Sequence, residues 1–149
     1  MSAYRTVVVG TDGSESSFRA VDRAAAVAAD SGAKLVLACA FYPADERDVQ
    51  AAQDALRDEA YQVVGSAPAD QSLGLAADRA AAAGATDIER VAEVGAPVDT
   101  LLKIAGKYQA DLLVVGNRGL NSLAGRILGS VPSEAARKAP CDVLIVHTT

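Results

Sequence analysis

Thr6-Val7-Val8-Val9-Gly10-Thr11-Asp12-Gly13-Ser14 is a compact β-branched run closed by glycine and followed by polar turn residues. Such a run reads as a buried strand, and Ser14 reads as the N-cap of the helix that follows. The helix pattern spans Ser14 to Ser31: Phe18, Val21, Ala25 and Ala28 recur at helical spacing with charges opposite, and Gly32 stops it. Lys34 to Phe41 (KLVLACAF) is a second strand, apolar on both faces, as a strand inside a parallel sheet has to be. Strand, helix and strand in this order form a right-handed βαβ unit, which sets the fold class as α/β with a parallel sheet.

The same alternation continues downstream. An Ala-rich helix is expected over Asp70 to Ala83, ended by Gly84. Ile88 to Val94 is a third strand, polar enough to lie at an edge. Pro97 opens a helix whose apolar face carries Val98, Leu101, Leu102, Ala105 and Tyr108. Asp111 to Gly116 is a fourth strand, Ser122 to Leu128 and Val131 to Lys138 are two helical pieces, and Cys141 to His147 is a last strand. Tyr42 to Ala69 is irregular, with Pro43, Gly65, Pro68 and a charged central stretch, and is expected to be a surface insertion.

Composition narrows the function classes. At 149 residues the chain fits one domain, 1–149, and 50% apolar content excludes a disordered protein. A net charge of −5 argues against a general nucleic-acid binder, which needs a basic face. A small anionic ligand remains compatible, because backbone amides can hold phosphate without net positive charge. No apolar run is long enough to span a bilayer, and MSAYRTVVVG lacks the features of a signal peptide, so the expected location is cytoplasmic. Cys39 and Cys141 both sit in apolar segments and read as reduced core residues. A single histidine, His147, removes most zinc sites and Ser-His-Asp triads.

In an open parallel sheet, ligands bind beyond the carboxyl ends of the strands, where strand order reverses. Two loops there are unusual. Gly10-Thr11-Asp12-Gly13-Ser14 places a carboxylate at the end of strand one, where Asp12 can accept from a ribose hydroxyl or hold magnesium. Gly116-Asn117-Arg118-Gly119, followed nine residues later by Gly129-Ser130-Val131, brings glycines, a hydroxyl and a helix N-terminus to the end of strand four. Free N–H groups at that helix start make a candidate phosphate cradle.

The spacing Gly116-x2-Gly119-x9-Gly129-Ser130 resembles the nucleotide-binding signature of the universal stress protein family. The strand-one ending Val-Gly-Thr-Asp-Gly-Ser, the turn Val94-Gly95-Ala96-Pro97 and the closing Pro140-Cys141-Asp142-Val143-Leu144-Ile145-Val146 are similar to further motifs of that family. The resemblance covers nearly the whole chain except Tyr42 to Ala69. It implies an open, Rossmann-like five-stranded parallel sheet of the HUP type, order 3-2-1-4-5, with helices on both faces. It also implies an adenine nucleotide, ATP or cyclic AMP, across the ends of strands one and four.

Carried over by position, Gly10, Thr11 and Asp12 would lie by base and ribose, with Asp12 a magnesium ligand if the nucleotide is ATP. The backbone of Ala38, Cys39 and Ala40 would meet the adenine edge. Gly116, Gly119, Gly129, Ser130 and Val131 would surround the phosphates, with the Arg118 charge close enough to favour them. Family members pair their last strands into homodimers, which here would use Val143, Leu144, Ile145, Val146 and His147. The small, Ala-rich chain is similar to actinobacterial members, some of which bind cyclic AMP.

The resulting expectation is a stress-response or signalling protein that binds an adenine nucleotide without efficient catalysis. GxxxxGK[ST] and Gly-x-Ser-x-Gly are both absent, which excludes a P-loop enzyme and an ordinary α/β-hydrolase. Slow ATP hydrolysis, autophosphorylation, or a dimeric interaction module with a structural nucleotide are the competing expectations.

Overall fold

A computed structural model of the chain describes residues 2–43, 63–117 and 130–148. Five strands and four helices alternate within them: β1 (Thr6–Gly10), α1 (Glu15–Ser31), β2 (Lys34–Phe41), α2 (Ser66–Ala82), β3 (Ile88–Val94), α3 (Pro97–Lys107), β4 (Leu112–Gly116), α4 (Ser130–Lys138) and β5 (Asp142–Val146). The strands form one sheet of order β3-β2-β1-β4-β5, with every pairing parallel. The chain winds outward from β1 in both directions, so the order reverses between β1 and β4.

Strand alternation sends successive side chains to opposite faces. Val7, Val9, Leu35, Leu37 and Cys39 pack with α1 and α2 on one face. Val8, Val36, Ala38, Leu113 and Val115 pack with α3 and α4 on the other. The central strands are buried on both faces, which is why their sequences read as continuous apolar runs. Each fully buried Val or Leu contributes about 1.5–3 kcal/mol relative to exposure, before entropy is subtracted. Cys39 and Cys141 lie on opposite faces and are both free.

Local chemistry sets the element ends. Ser14 caps α1, its Oγ accepting from the Ser17 N–H at 3.1 Å. Gly32 ends α1 in the left-handed conformation, at φ 66°. Asp111 closes the opposite end of the sheet by accepting from the backbone N–H groups of Arg5 and Thr6 at 2.9–3.2 Å. Arg79 of α2 pairs with Asp22 and with Glu15 at 3.0 Å, and lies 5.5 Å from the Phe18 ring, joining α2 to α1.

One element starts earlier than its sequence pattern indicates. Helix α2 begins at Ser66, not Asp70, and takes Pro68 into its first turn. Proline is tolerated there because the first-turn N–H groups have no partner within the helix. The ends of the expected insertion are also ordered: Tyr42 forms a parallel bridge with Val64, through Tyr42 N–H to the Val63 carbonyl and Gly65 N–H to the Tyr42 carbonyl. The centre of that insertion, and the helical piece expected over Ser122 to Leu128, lie outside the described residues.

Candidate functional site

A cleft of about 690 Å³, partly open to solvent, lies at the carboxyl ends of β1, β2 and β4. This is the point where strand order reverses, the position at which open α/β sheets take ligands. Gly10, Ala38, Ala40, Val115 and Gly116 form its floor. Thr11, Asp12, Ser14, Ser16 and Ser17 form one wall, from the loop after β1 and the first turn of α1. Pro97 and Leu101 of α3, Val131 of α4, Tyr42 and Val63 complete it.

The floor is made of small residues for a physical reason. A Cβ on Gly10 would stand 2.9 Å from both methyl groups of Leu101, so a bare backbone is what lets α3 approach β1. A Cβ on Gly116 would come within 3.2 Å of the Thr148 methyl. Helix α3 is held over the sheet from its far end, where the Tyr108 hydroxyl donates to Glu89 and Lys34 pairs with Glu89 at 2.7 Å.

The β2 trio divides as alternation requires. Ala38 and Ala40 line the cleft, whereas Cys39 sends its side chain into the core against α1 and α2. Burial, reinforced by the Asp12 and Asp70 charges, pushes the Cys39 thiol up to about 12, so it stays protonated and unreactive. The backbone of Cys39 turns toward β3, where it is in register with Ala92, so the backbone groups facing the β1 side are those of Ala38 and Ala40. Thr11 N–H donates to the Ala38 carbonyl at 2.9 Å, and pairing of β1 with β2 stops at Gly10 and Ala38. Backbone groups alternate sides along a strand, so Ala40 turns its N–H and carbonyl toward β1 just beyond the end of that strand. An edge carrying one donor and one acceptor therefore faces the cleft.

The loop after β1 braces itself. Ser17 Oγ donates to the Ser14 carbonyl at 2.8 Å, which leaves the Thr11 hydroxyl to donate to Ser17 Oγ, also at 2.8 Å. Thr11 Oγ1 accepts from the Gly13 N–H at 3.2 Å as well, so this side chain is occupied within the loop. Asp12 Oδ1 accepts from the Ser14 N–H at 2.9 Å, and among the described residues no donor reaches its other oxygen. Asp12 is thus the loop residue with capacity left for a ligand.

Helix α4 begins at Ser130, and Val131 in its first turn lines the cleft together with Gly116, which brings the start of this helix to the end of β4. Arg118, Gly119 and Gly129 lie outside the described residues. Among the described lining residues there is one carboxylate and no lysine, arginine or histidine. No group of three or more His, Cys, Asp or Glu suited to a metal occurs among the described residues.

Sequence reasoning did not place several wall residues. Leu101 and Pro97 read as helix core and helix start, and only packing reveals that they also close the cleft. Tyr42 and Val63 belong to a stretch with no periodic signal. The candidate edge residues Val143, Leu144, Ile145 and Val146 lie on β5, an outer strand, with Val143 to Ile145 half-buried and His147 exposed just beyond it.

An open parallel sheet with its cleft at the order reversal places the chain in the Rossmann-like α/β class. The family model described as Universal stress protein family matches residues 3–147. Universal stress protein Rv1636 of Mycobacterium tuberculosis is 58% identical over 149 residues, covering 100% of both chains. A solved universal stress protein described as in complex with cAMP is 53% identical, with a TM-score of 0.77, covering 99% of this chain and 100% of that one. UspA from Lactobacillus plantarum, at 22% identity and a TM-score of 0.78 over 98% of this chain and 99% of that one, shares the fold. The chain belongs to the universal stress protein family.

Proposed function

We propose that this protein is an adenine-nucleotide receptor with cyclic AMP as its preferred ligand, acting in a stress or signalling response without efficient catalysis. The observation that carries this is the lining of the cleft. Ala40 offers a backbone donor and acceptor suited to the edge of a purine. Asp12 retains an oxygen for a ribose hydroxyl. Gly116 and the start of α4 offer close backbone approach and N–H groups for a phosphate.

Charge favours the cyclic nucleotide. The described lining residues carry the Asp12 carboxylate and no cation. A singly charged cyclic phosphate suits that wall better than a triphosphate, which would need magnesium on Asp12 or a cation such as Arg118. The cAMP complex of the 53% identical relative supports the same choice. Pairing of β5 strands between two copies is part of the proposal, since β5 leaves an apolar edge that a partner strand would cover.

The test is a melting-temperature panel with ATP, ADP, AMP, cyclic AMP and GTP, with and without magnesium. A ligand at 100 times its Kd adds about 2.7 kcal/mol. In a chain of this length that is a rise on the order of 5–10 °C. The larger rise is expected with cyclic AMP and independent of magnesium. A rise confined to ATP with magnesium would replace the cyclic-nucleotide assignment and call for an assay of slow hydrolysis or autophosphorylation. No rise with any nucleotide would remove the receptor assignment and leave the dimer surface as the functional element.

A further inference from the structure

Thr148 lies two residues beyond β5 and is only 3% exposed, although nothing in its sequence context marks it. It is held from three directions. Its N–H and its hydroxyl both donate to Asn117 Oδ1, at 2.9 and 3.0 Å. Its Oγ1 lies 2.8 Å from Ser16 Oγ. Its carbonyl accepts from the Arg19 guanidinium at 2.6 Å.

The proton directions follow from valence. A hydroxyl has one hydrogen, and that of Thr148 goes to Asn117, whose Oδ1 can only accept. The Ser16 hydroxyl therefore donates to Thr148 Oγ1. The relay runs Ser16 O–H to Thr148 O–H to Asn117 Oδ1, and it fixes the Asn117 amide with Oδ1 toward Thr148. One end of the relay lies in the cleft wall and the other adjoins the cleft floor. Ser16 lines the wall from α1, and Asn117 follows Gly116, which lines the floor from β4. The Thr148 methyl fills the space above Gly116 that a Cβ there would need. Asn117 is tied on its backbone as well, its N–H donating to the Val146 carbonyl at 2.8 Å.

We propose that Thr148 is a positioning residue for the nucleotide cleft, holding the α1 wall and the β4 exit at their binding separation through one buried hydroxyl. The proposal rests on the nucleotide-receptor assignment above. Thr148 does not line the cleft, so it acts through Ser16, Gly116 and Asn117. Because it lies two residues beyond β5, ligand occupancy and the order of the segment leaving that strand become linked. By reciprocity, a nucleotide that requires the closed relay must also hold Thr148 in place.

The experiment measures cyclic AMP binding by calorimetry to the full chain and to Thr148→Val, Thr148→Ser and Arg19→Gln. Thr148→Val keeps the shape and the N–H bond to Asn117 but removes the relay. A buried hydrogen bond left unmade is worth enough to weaken binding on the order of tenfold. Thr148→Ser should restore near wild-type affinity. Arg19 lies outside the cleft lining, so Arg19→Gln loosens Thr148 without touching a lining residue, and a loss of about threefold is expected. In the wild type, cyclic AMP should slow hydrogen exchange of the Thr148 amide, and in Thr148→Val this slowing should disappear.

Wild-type affinity in Thr148→Val, in a chain whose wild type binds, overturns the positioning role alone. So does an affinity loss in Thr148→Val that follows its loss of melting temperature while Arg19→Gln binds normally, because that pattern is general destabilisation. A wild type that binds no nucleotide overturns the receptor assignment, and the positioning role with it.

Discussion

Replacing Gly10 by alanine should change sign with the residue opposite it. A Cβ at Gly10 meets both methyl groups of Leu101 at 2.9 Å, about half an ångström or more inside ordinary contact. With both methyls equally close, turning the leucine relieves one contact by tightening the other. Leu101 is 5% exposed and packed on the sheet, so α3 itself has to shift. Overpacking of this kind costs about 1–3 kcal/mol. At about 3 °C per kcal/mol for a chain of this length, Gly10→Ala should lower the melting temperature by about 3–9 °C. Leu101→Ala alone removes a buried side chain and should cost about 2–5 kcal/mol. In that background the obstacle is gone. Gly10 has an ordinary strand conformation, so Gly10→Ala should then stabilise by about 0.4–1 kcal/mol by restricting the unfolded chain. Denaturant unfolding of the four chains gives the cycle directly. A Gly10→Ala effect of the same sign and size in both backgrounds would mean that Leu101 is not what excludes a side chain from the cleft floor.

Three further outcomes are expected. If Gly119 and Gly129 hold the phosphate as the family resemblance implies, Gly119→Ala or Gly129→Val should abolish nucleotide binding while the far-ultraviolet circular dichroism stays native; unchanged affinity in both would remove the phosphate assignment. Ile145→Lys should convert a dimer to a folded monomer in sedimentation, and a persistent dimer would exclude pairing through β5. Cys39 gives a pH dependence. Its thiol is raised from 9.0 to about 12, so above pH 9 the unfolded chain ionises it while the folded chain does not. Unfolding then releases a proton, and stability falls as pH rises from 9 to 12, by up to about 1.4 kcal/mol per unit. Cys39→Ala should lose that part of the slope, and an identical slope in both chains would show that the thiol is not buried as described.

The alternation of strand and helix, the edge position of β3, the Ser14 cap and the Gly32 stop were all legible in the sequence. Each depends on near neighbours: periodicity of 2 or 3.6, and a capping side chain that reaches its own first turn. The start of α2 was less legible, because Pro68 and Gly65 are turn signals unless the proline falls in a first turn, and tertiary packing decides that. The glycines at the ends of β1 and β4 marked the end of the sheet where the cleft lies. Sequence spacing placed Cys39 beside Ala38 and Ala40, but the pleat assigns its side chain to the other face.

By itself the sequence determined the fold class, the family and the end of the sheet where the cleft opens, because all three are encoded in local pattern and spacing. Tertiary structure alone decided who meets whom across that cleft. Leu101 facing Gly10, Tyr42 bridged to Val64, and Thr148 tied to Ser16 and Asn117 are contacts between residues far apart in the chain. No local preference distinguishes these residues from others of their type, and only closure of the packed sheet and helices brings them within bonding distance.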